Sequence, residues 1–211
     1  MTLLIRNLSQ IATPTGTTAA RGAAMRALDV REKSVIVVKD GRFAFIGRES
    51  DKPAELAIDE DFDARGACAV PGFVDTHTHL PFAGLRESEF NRRLQGETYE
   101  QIAASGGGIA STVRATRAAT EKELAQNVLA RTRLMARYGT TTAEAKSGYG
   151  LEREAELRQL RAIQRANAES PVRLVPTVLA AHEFPPESRG NAAARAEYID
   201  VVIHDIMPAV A

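Results

Sequence analysis

The ten residues PGFVDTHTHL, Pro71 to Leu80, decide how the rest of the chain is read. Phe73 to Thr76 is an apolar, β-branched run with the composition of a buried strand, and it leads directly into His77 and His79. Side chains alternate along a strand, so imidazoles at i and i+2 point to the same side. Two imidazoles on one side of a strand end can hold a divalent metal from that direction, with the other ligands supplied from elsewhere in the fold. Ordinary histidines at a strand end would show the same spacing, so the spacing alone leaves both readings open. Asp75 shares their face and suits orienting an imidazole or simply starting the strand.

Toward the C-terminus, strands and helices alternate. Thr120 to Tyr138 reads as a helix: Thr120 with Glu123 forms a capping box, and Leu124, Val128, Met135 and Tyr138 recur on one face. Gly139 closes it, and TTTAEA follows as a β-branched strand. Glu152 to Ala168 is a second helix, with Leu157, Leu160 and Ile163 as its stripe; Pro171 stops it and VRLVPTVLA is the next strand. Ala192 to Ala209 is a third helix, with Ile199, Val202 and Ile206 along one side and His204 facing solvent. This alternation predicts a parallel sheet with covering helices.

Toward the N-terminus the grammar changes. LLIRNL is a strand, SVIVVKDGRFAFIG is a hairpin turning at Asp40-Gly41, and Ala57 to Phe62 holds a further short strand. The expected organisation is a small β-rich, sandwich-like domain at 1–70 and an α/β domain at 71–211.

In the second domain each strand ends at reactive side chains: His77 and His79, then Glu144 with Lys146 and Tyr149 beyond, then His182 and Glu183. A (β/α) barrel keeps its chemistry at the C-terminal ends of its strands. A doubly wound sheet would too, but no glycine-rich turn follows the first strand here. A complete barrel takes about 250 residues. The expected fold is therefore α/β: an incomplete (β/α)8 TIM-type barrel of about three βα units, preceded by a small β-rich domain, in a chain truncated from a longer protein.

Composition narrows the partners. The chain is 44% hydrophobic and 26% charged, and its 27 Lys and Arg balance 27 Asp and Glu, so there is no cationic surplus to grip nucleic acid or an anionic membrane. No apolar run approaches the ~20 residues of a membrane span, and the N-terminus lacks a secretory signal pattern. The single cysteine, Cys68, allows no internal disulfide and reads as packed; a cytoplasmic location is expected.

The residues also carry a resemblance. PGFVDTHTHL is similar to the first metal-binding strand of the amidohydrolase superfamily. The segments LRESEFNRRLQGETYEQIAASGGGIASTVRATRAAT, AEAKSGYGLEREAELRQLRAI and PTVLAAHEFPPE resemble the imidazolonepropionase family. Members of that family open the ring of 4-imidazolone-5-propanoate with water, giving N-formimidoyl-glutamate in histidine breakdown. The resemblance implies that His77 and His79 are ligands of one divalent ion, zinc or iron. It implies substrate contacts for Arg86, for Tyr149 against the ring or propionate end, and for His182, which would bind and orient the substrate and is the catalytic candidate. A further histidine, an aspartate ligand and a glutamate of the family have no matching position here. A homodimer acting on a small molecule is the implied assembly. Two rival readings stand beside this one: another cyclic amidase or deaminase of the superfamily, and a non-catalytic truncated fragment.

Simpler roles compete for several of these residues. Arg86 is one of many arginines, and Arg92 and Arg93 read as solvated or salt-bridged. Tyr149 lies between Gly148 and Gly150, which free the backbone to aim a phenol into a pocket. Gly106-Gly107-Gly108 lacks the lysine and preceding strand of a phosphate loop and reads as a close-approach rim segment. Glu144 reads as structural, and the resemblance gives Lys146 no metal-bridging role.

Overall fold

Short apolar and β-branched runs in the N-terminal stretch build the first of two units. The computed structural model describes residues 1–211, and they divide into Met1–Pro71 and Gly72–Ala211. In the first unit the strands are β1 (Thr2–Arg6), β2 (Gln10–Pro14), β3 (Leu28–Glu32), β4 (Ser34–Lys39), β5 (Arg42–Arg48), β6 (Glu60–Asp63) and β7 (Cys68–Ala69). They form one sheet of order β5-β4-β1-β6 and another of order β3-β2-β7. Leu4, Val35 and Val37 point to one face of the first sheet, where Phe45, Leu56 and Ile58 cover them. Ile36 points to the other face and meets Leu8, Ile11 and Ala69, so β2 and β7 contribute to that core. The β4–β5 turn has Asp40 at φ 51° and Gly41 at φ 75°, the left-handed pair of a type I′ hairpin, as the Asp-Gly dipeptide predicts.

Several expectations for this unit need correction. Strands β2, β3 and β7 carry no clear alternation: β2 ends in Pro14, β3 is largely charged and exposed, and β7 is two residues long. The strand expected over Ala57 to Phe62 begins only at Glu60, because Leu56 and Ile58 are used as packing residues. Cys68 is exposed rather than packed; in β7 it is Ala69 that turns inward, and the Cys68 sulfur lies 3.3 Å from Ser9 Oγ.

The second unit contains β8 (Phe73–Thr78), then helices α1 (Glu87–Leu94), α2 (Tyr99–Ala104), α3 (Ile109–Ala118) and α4 (Glu121–Arg137). β9 (Thr140–Lys146), α5 (Arg153–Asn167), β10 (Arg173–Thr177), α6 (Ala192–Val201) and α7 (Met207–Val210) follow. The three strands form a parallel sheet of order β10-β9-β8. Ala143 and Ala145 of β9 are fully buried under Leu124, Val128, Ala162 and Ile163 of α4 and α5. Alanine at both strand positions lets the helices approach closely. The α4 start is the expected capping box: Glu123 N–H donates to Thr120 Oγ1 at 3.2 Å and Thr120 N–H to Glu123 Oε2 at 2.8 Å.

Helices α1 to α3 were not expected, because Gly96 and Gly106 to Gly108 break their periodicity into short pieces. The expected single C-terminal helix is interrupted by a π turn over Val202–Ile206. Pro208, which has no N–H to donate one turn back, lies just beyond it. No helix is long and apolar enough to cross a membrane.

Two substitutions test this packing by urea unfolding. Thr120→Ala removes the hydroxyl that accepts from Glu123 N–H, leaves the backbone N–H at position 120 bonded to Glu123, and is expected to cost about 1 kcal/mol. Leu124→Ala empties a fully buried position and is expected to cost about 3 kcal/mol.

Candidate active site

Strand β8 delivers His77 and His79 to one end of the parallel sheet, and side chains of α4 and α5 fix the segment that follows. Arg131 donates to the carbonyls of Leu80 and Phe82, the latter at 3.0 Å, and its guanidinium lies 3.6 Å from the Phe82 ring centroid. Asn127 Nδ2 donates to the same Phe82 carbonyl at 3.2 Å, and Gln159 Nε2 donates to the Pro81 carbonyl at 2.8 Å. Burial lowers the Arg131 pKa to about 10, which leaves it cationic at neutral pH.

His79 is the centre of the cluster. Its ring centroid lies 4.5 Å from that of His182, 4.9 Å from Tyr149 and 6.0 Å from His77. Both of its ring nitrogens are buried and have no hydrogen-bond partner. Burial, and secondarily the neighbouring His182, push its pKa down to about 4, so the ring is neutral near pH 7. His77 is exposed. The Asp75 carboxylate accepts from the His77 backbone N–H at 3.2 Å, so it braces the strand end rather than an imidazole. The β8–β9 register shifts between Asp75 and Thr78, and the strand is irregular there.

The sequence brings Tyr149 and His182 to this cluster through the Ser147–Leu151 loop. Tyr149 and His182 meet edge to face, with centroids 5.3 Å apart, and Phe82 meets Tyr149 at 6.0 Å. His182 belongs to a short 3₁₀ turn, Ala180–His182, set beyond the end of β10. Its Nδ1 lies 3.1 Å from the Gly148 carbonyl. Ser147 ties the two loops together, its N–H donating to Thr177 O and its Oγ accepting from Leu179 N–H, both at 3.0 Å. Tyr198 of α6 donates its phenol proton to the Ala180 carbonyl at 2.7 Å; burial raises its pKa.

Arg86 reaches the same place from the other side. His79, Phe82, Gly84, Leu85, Arg86, Thr112 and Tyr149 line a cleft of about 180 Å3. The Arg86 guanidinium is partly exposed, with Nε 3.6 Å from Glu89 Oε2. Glu89 in turn accepts from Gly108 N–H at 2.9 Å, and a Cβ on Gly107 would lie 2.8 Å from the Glu89 carboxylate and from Ile102. The triple glycine is thus a close-approach segment beside the cleft. Lys146 is nearly buried and ion-paired with Glu144, which also accepts from Thr177 Oγ1 at 2.8 Å. His204 is exposed, as expected. Arg92 pairs with Glu97.

One residue at this site has no counterpart in the sequence reading. Glu156 of α5 is fully buried, and its carboxylate accepts from Gly148 N–H at 2.9 Å and from Gly150 and Leu151 N–H at 2.8 Å each. Its only signal in the sequence is its place on the helix face shared by Ala155, Gln159 and Ile163. At Gly148 the backbone has φ +111°, and a Cβ there would lie 2.8 Å from the Leu179 carbonyl and 3.0 Å from His182 Cβ. Gly148→Ala is therefore expected to destabilise the protein by about 2 kcal/mol in urea unfolding. An unchanged midpoint would show that the loop adjusts freely.

No family model matches the chain. The imidazolonepropionase of Myxococcus xanthus is 48% identical over 211 residues, covering 99% of this chain and 49% of that protein. That of Chloroflexus aggregans is 46% identical over 207 residues, covering 98% and 48%. The chain thus spans about half the length of the curated relatives it matches. Among solved structures, a guanine deaminase from Bradyrhizobium japonicum superposes with TM-score 0.52 at 20% identity, over 97% of this chain and 41% of that one. A triazine hydrolase variant gives 0.53 at 16% identity, over 84% and 35%. At such identities these likenesses speak for the fold alone. In sequence, along nearly all of its residues, the chain is similar to about half the length of these imidazolonepropionases.

Proposed function

We propose that this chain forms the first βα units of a (β/α)8-barrel amidohydrolase, preceded by a small β domain, which hydrolyses 4-imidazolone-5-propanoate in the cytoplasm. The observation that carries this reading is the convergence on His79. Its two unpartnered, buried nitrogens sit against Tyr149 and His182, in a cleft that Arg86 also lines.

The residues suit a cation as far as they go. A neutral imidazole with buried, unsatisfied nitrogens is a ligand without its partner, and His77 stands beside it. No group of three or more His, Cys, Asp or Glu side chains is gathered anywhere in the chain, so these two donors would hold a metal from one side only. Two imidazoles suit zinc and iron alike. A divalent ion held there supplies Lewis-acid polarisation of the ring carbonyl and acidifies water.

The remaining roles belong to this chain's own side chains. Arg86 offers a planar fork for the propionate carboxylate. Tyr149 packs its ring against the imidazolone, and with Phe82 keeps that wall of the cleft apolar. His182 orients the heterocycle from the third strand's end and is placed to exchange a proton with it.

The test uses the intact protein. Metal analysis is expected to show a stoichiometric divalent ion that His79→Ala abolishes, and turnover of 4-imidazolone-5-propanoate is expected but deamination of guanine is not. Preparations with no metal and no turnover of that substrate would overturn the reading. Arg86→Lys keeps the charge but loses the fork, and is expected to raise KM about tenfold, the equivalent of one charge-assisted hydrogen bond.

A further inference from the structure

We propose that Glu156 is a positioning residue: its buried carboxylate shapes the Ser147–Leu151 loop so that the Gly148 carbonyl holds His182 as the Nδ1–H tautomer. The Nε2 lone pair is then left free for the substrate. The value of that lone pair rests on the function proposed above; the geometry of the clamp does not.

A fully buried carboxylate is costly unless its oxygens are satisfied. Glu156 makes no ion pair within 4.0 Å; its partners are three backbone N–H groups of a single short loop. Oε1 takes those of Gly150 and Leu151, and Oε2 takes that of Gly148. The loop is therefore wrapped around the carboxylate as backbone nests wrap around anions. One residue of it is held in a strained conformation: Leu151, which carries a side chain, has φ 51°. Arg117 grips the same segment through its carbonyls, donating to Gly150 O at 2.7 Å and Leu151 O at 3.0 Å.

The consequence falls on His182. Gly148 and Gly150 are pinned by the two oxygens of one carboxylate, which fixes the direction of the Gly148 carbonyl between them. That carbonyl lies 3.1 Å from His182 Nδ1. A carbonyl only accepts, so Nδ1 must donate, and a neutral imidazole with Nδ1–H presents a bare Nε2. Glu156 touches neither imidazole nor substrate cleft, yet it determines which nitrogen of His182 is a base.

An amide in place of the carboxylate keeps the shape but offers one acceptor oxygen where the loop needs two. In Glu156→Gln an NH2 must face either Gly148 N–H or the Gly150–Leu151 pair. The experiment records the His182 ring by long-range 1H–15N correlation in the intact 15N-histidine-labelled protein at pH 8, with kinetics alongside. The wild type is expected to show Nδ1–H with Nε2 bare, and Glu156→Gln to show mixed tautomers. Its kcat/KM is expected to fall on the order of 100-fold. Leu124→Ala, which is destabilised in the core away from the loop, is the control and is expected to retain kcat/KM while folded.

A wild-type ring protonated at Nε2 overturns the proposal. So does a folded Glu156→Gln protein with an unchanged His182 pattern, or with kcat/KM no lower than the control. If Glu156→Gln does not fold, the wild-type tautomer and the exchange protection of the Gly148, Gly150 and Leu151 amides decide; rapid exchange of all three amides overturns it. A wild type that does not turn over 4-imidazolone-5-propanoate defeats the proposed function and leaves the ring measurement to judge Glu156.

Discussion

The carboxylate of Glu156 inside its ring of backbone N–H groups is the constraint on which the candidate site depends. Stripping a carboxylate of water costs several kcal/mol even in a relaxed protein. Three charge-assisted hydrogen bonds of ~1.5–3 kcal/mol each offset that cost, provided the loop takes one particular shape. Its place in the first turn of α5 adds a favourable interaction with the helix dipole. Helix and loop are thus mutually dependent: the charge is tolerable only because the loop curls, and the charge, together with Arg117 on the loop's carbonyls, holds that curl. Tyr149 and the carbonyl facing His182 inherit their positions from this exchange.

The same logic recurs at the other strand end. Arg131, Asn127 and Gln159 are long polar side chains on core-facing helix positions, and each donates to a carbonyl of the Leu80–Phe82 segment. Arg158 does likewise for the Arg117 and Ala119 carbonyls. Loops that carry functional side chains have few backbone partners of their own. Here α4 and α5 supply those partners from the side, so the rigidity of the helices passes to the loops. A helix that only buried leucines could cover the sheet but could not aim the histidines.

This division explains what the sequence could and could not disclose. The β4–β5 hairpin, the capped start of α4, and β9, α5 and β10 were legible, because each depends on local signals: Asp40-Gly41, Thr120 with Glu123, β-branched runs and helical periodicity. His77, His79, Tyr149 and His182 stood out because histidines after strands and a tyrosine between glycines are unusual. Strand β3 was not legible because a charged, exposed edge strand needs no apolar stripe, β2 because it buries one residue and ends in Pro14, and α1 to α3 because glycines cut them short. In α5 the expected Leu157–Leu160 stripe is only partly buried, while Glu156 and Gln159 are fully so. A residue type that is nearly always exposed gives no sequence sign of burial, since its partners are loop amides that only the fold brings near.

Charge balance beneath the histidines completes the picture. Lys146 is nearly buried on the strand beside His77 and His79, and an uncompensated ammonium there would oppose any cation the histidines could hold. Glu144 cancels it. Lys146 first, and the Thr177 hydroxyl second, hold the Glu144 carboxyl below the usual carboxylate range, so it offers Lys146 a carboxylate partner. The Thr78 hydroxyl donates to the Glu144 carbonyl at 2.5 Å, tying this pair to the strand that carries the histidines. The neutrality of His79 follows first from its burial and then from His182, with Lys146 a smaller contribution in the same direction. The end of β8 thus presents a neutral imidazole with both ring nitrogens unsatisfied above a charge-compensated pair, so no unpaired cation stands on the adjoining strand.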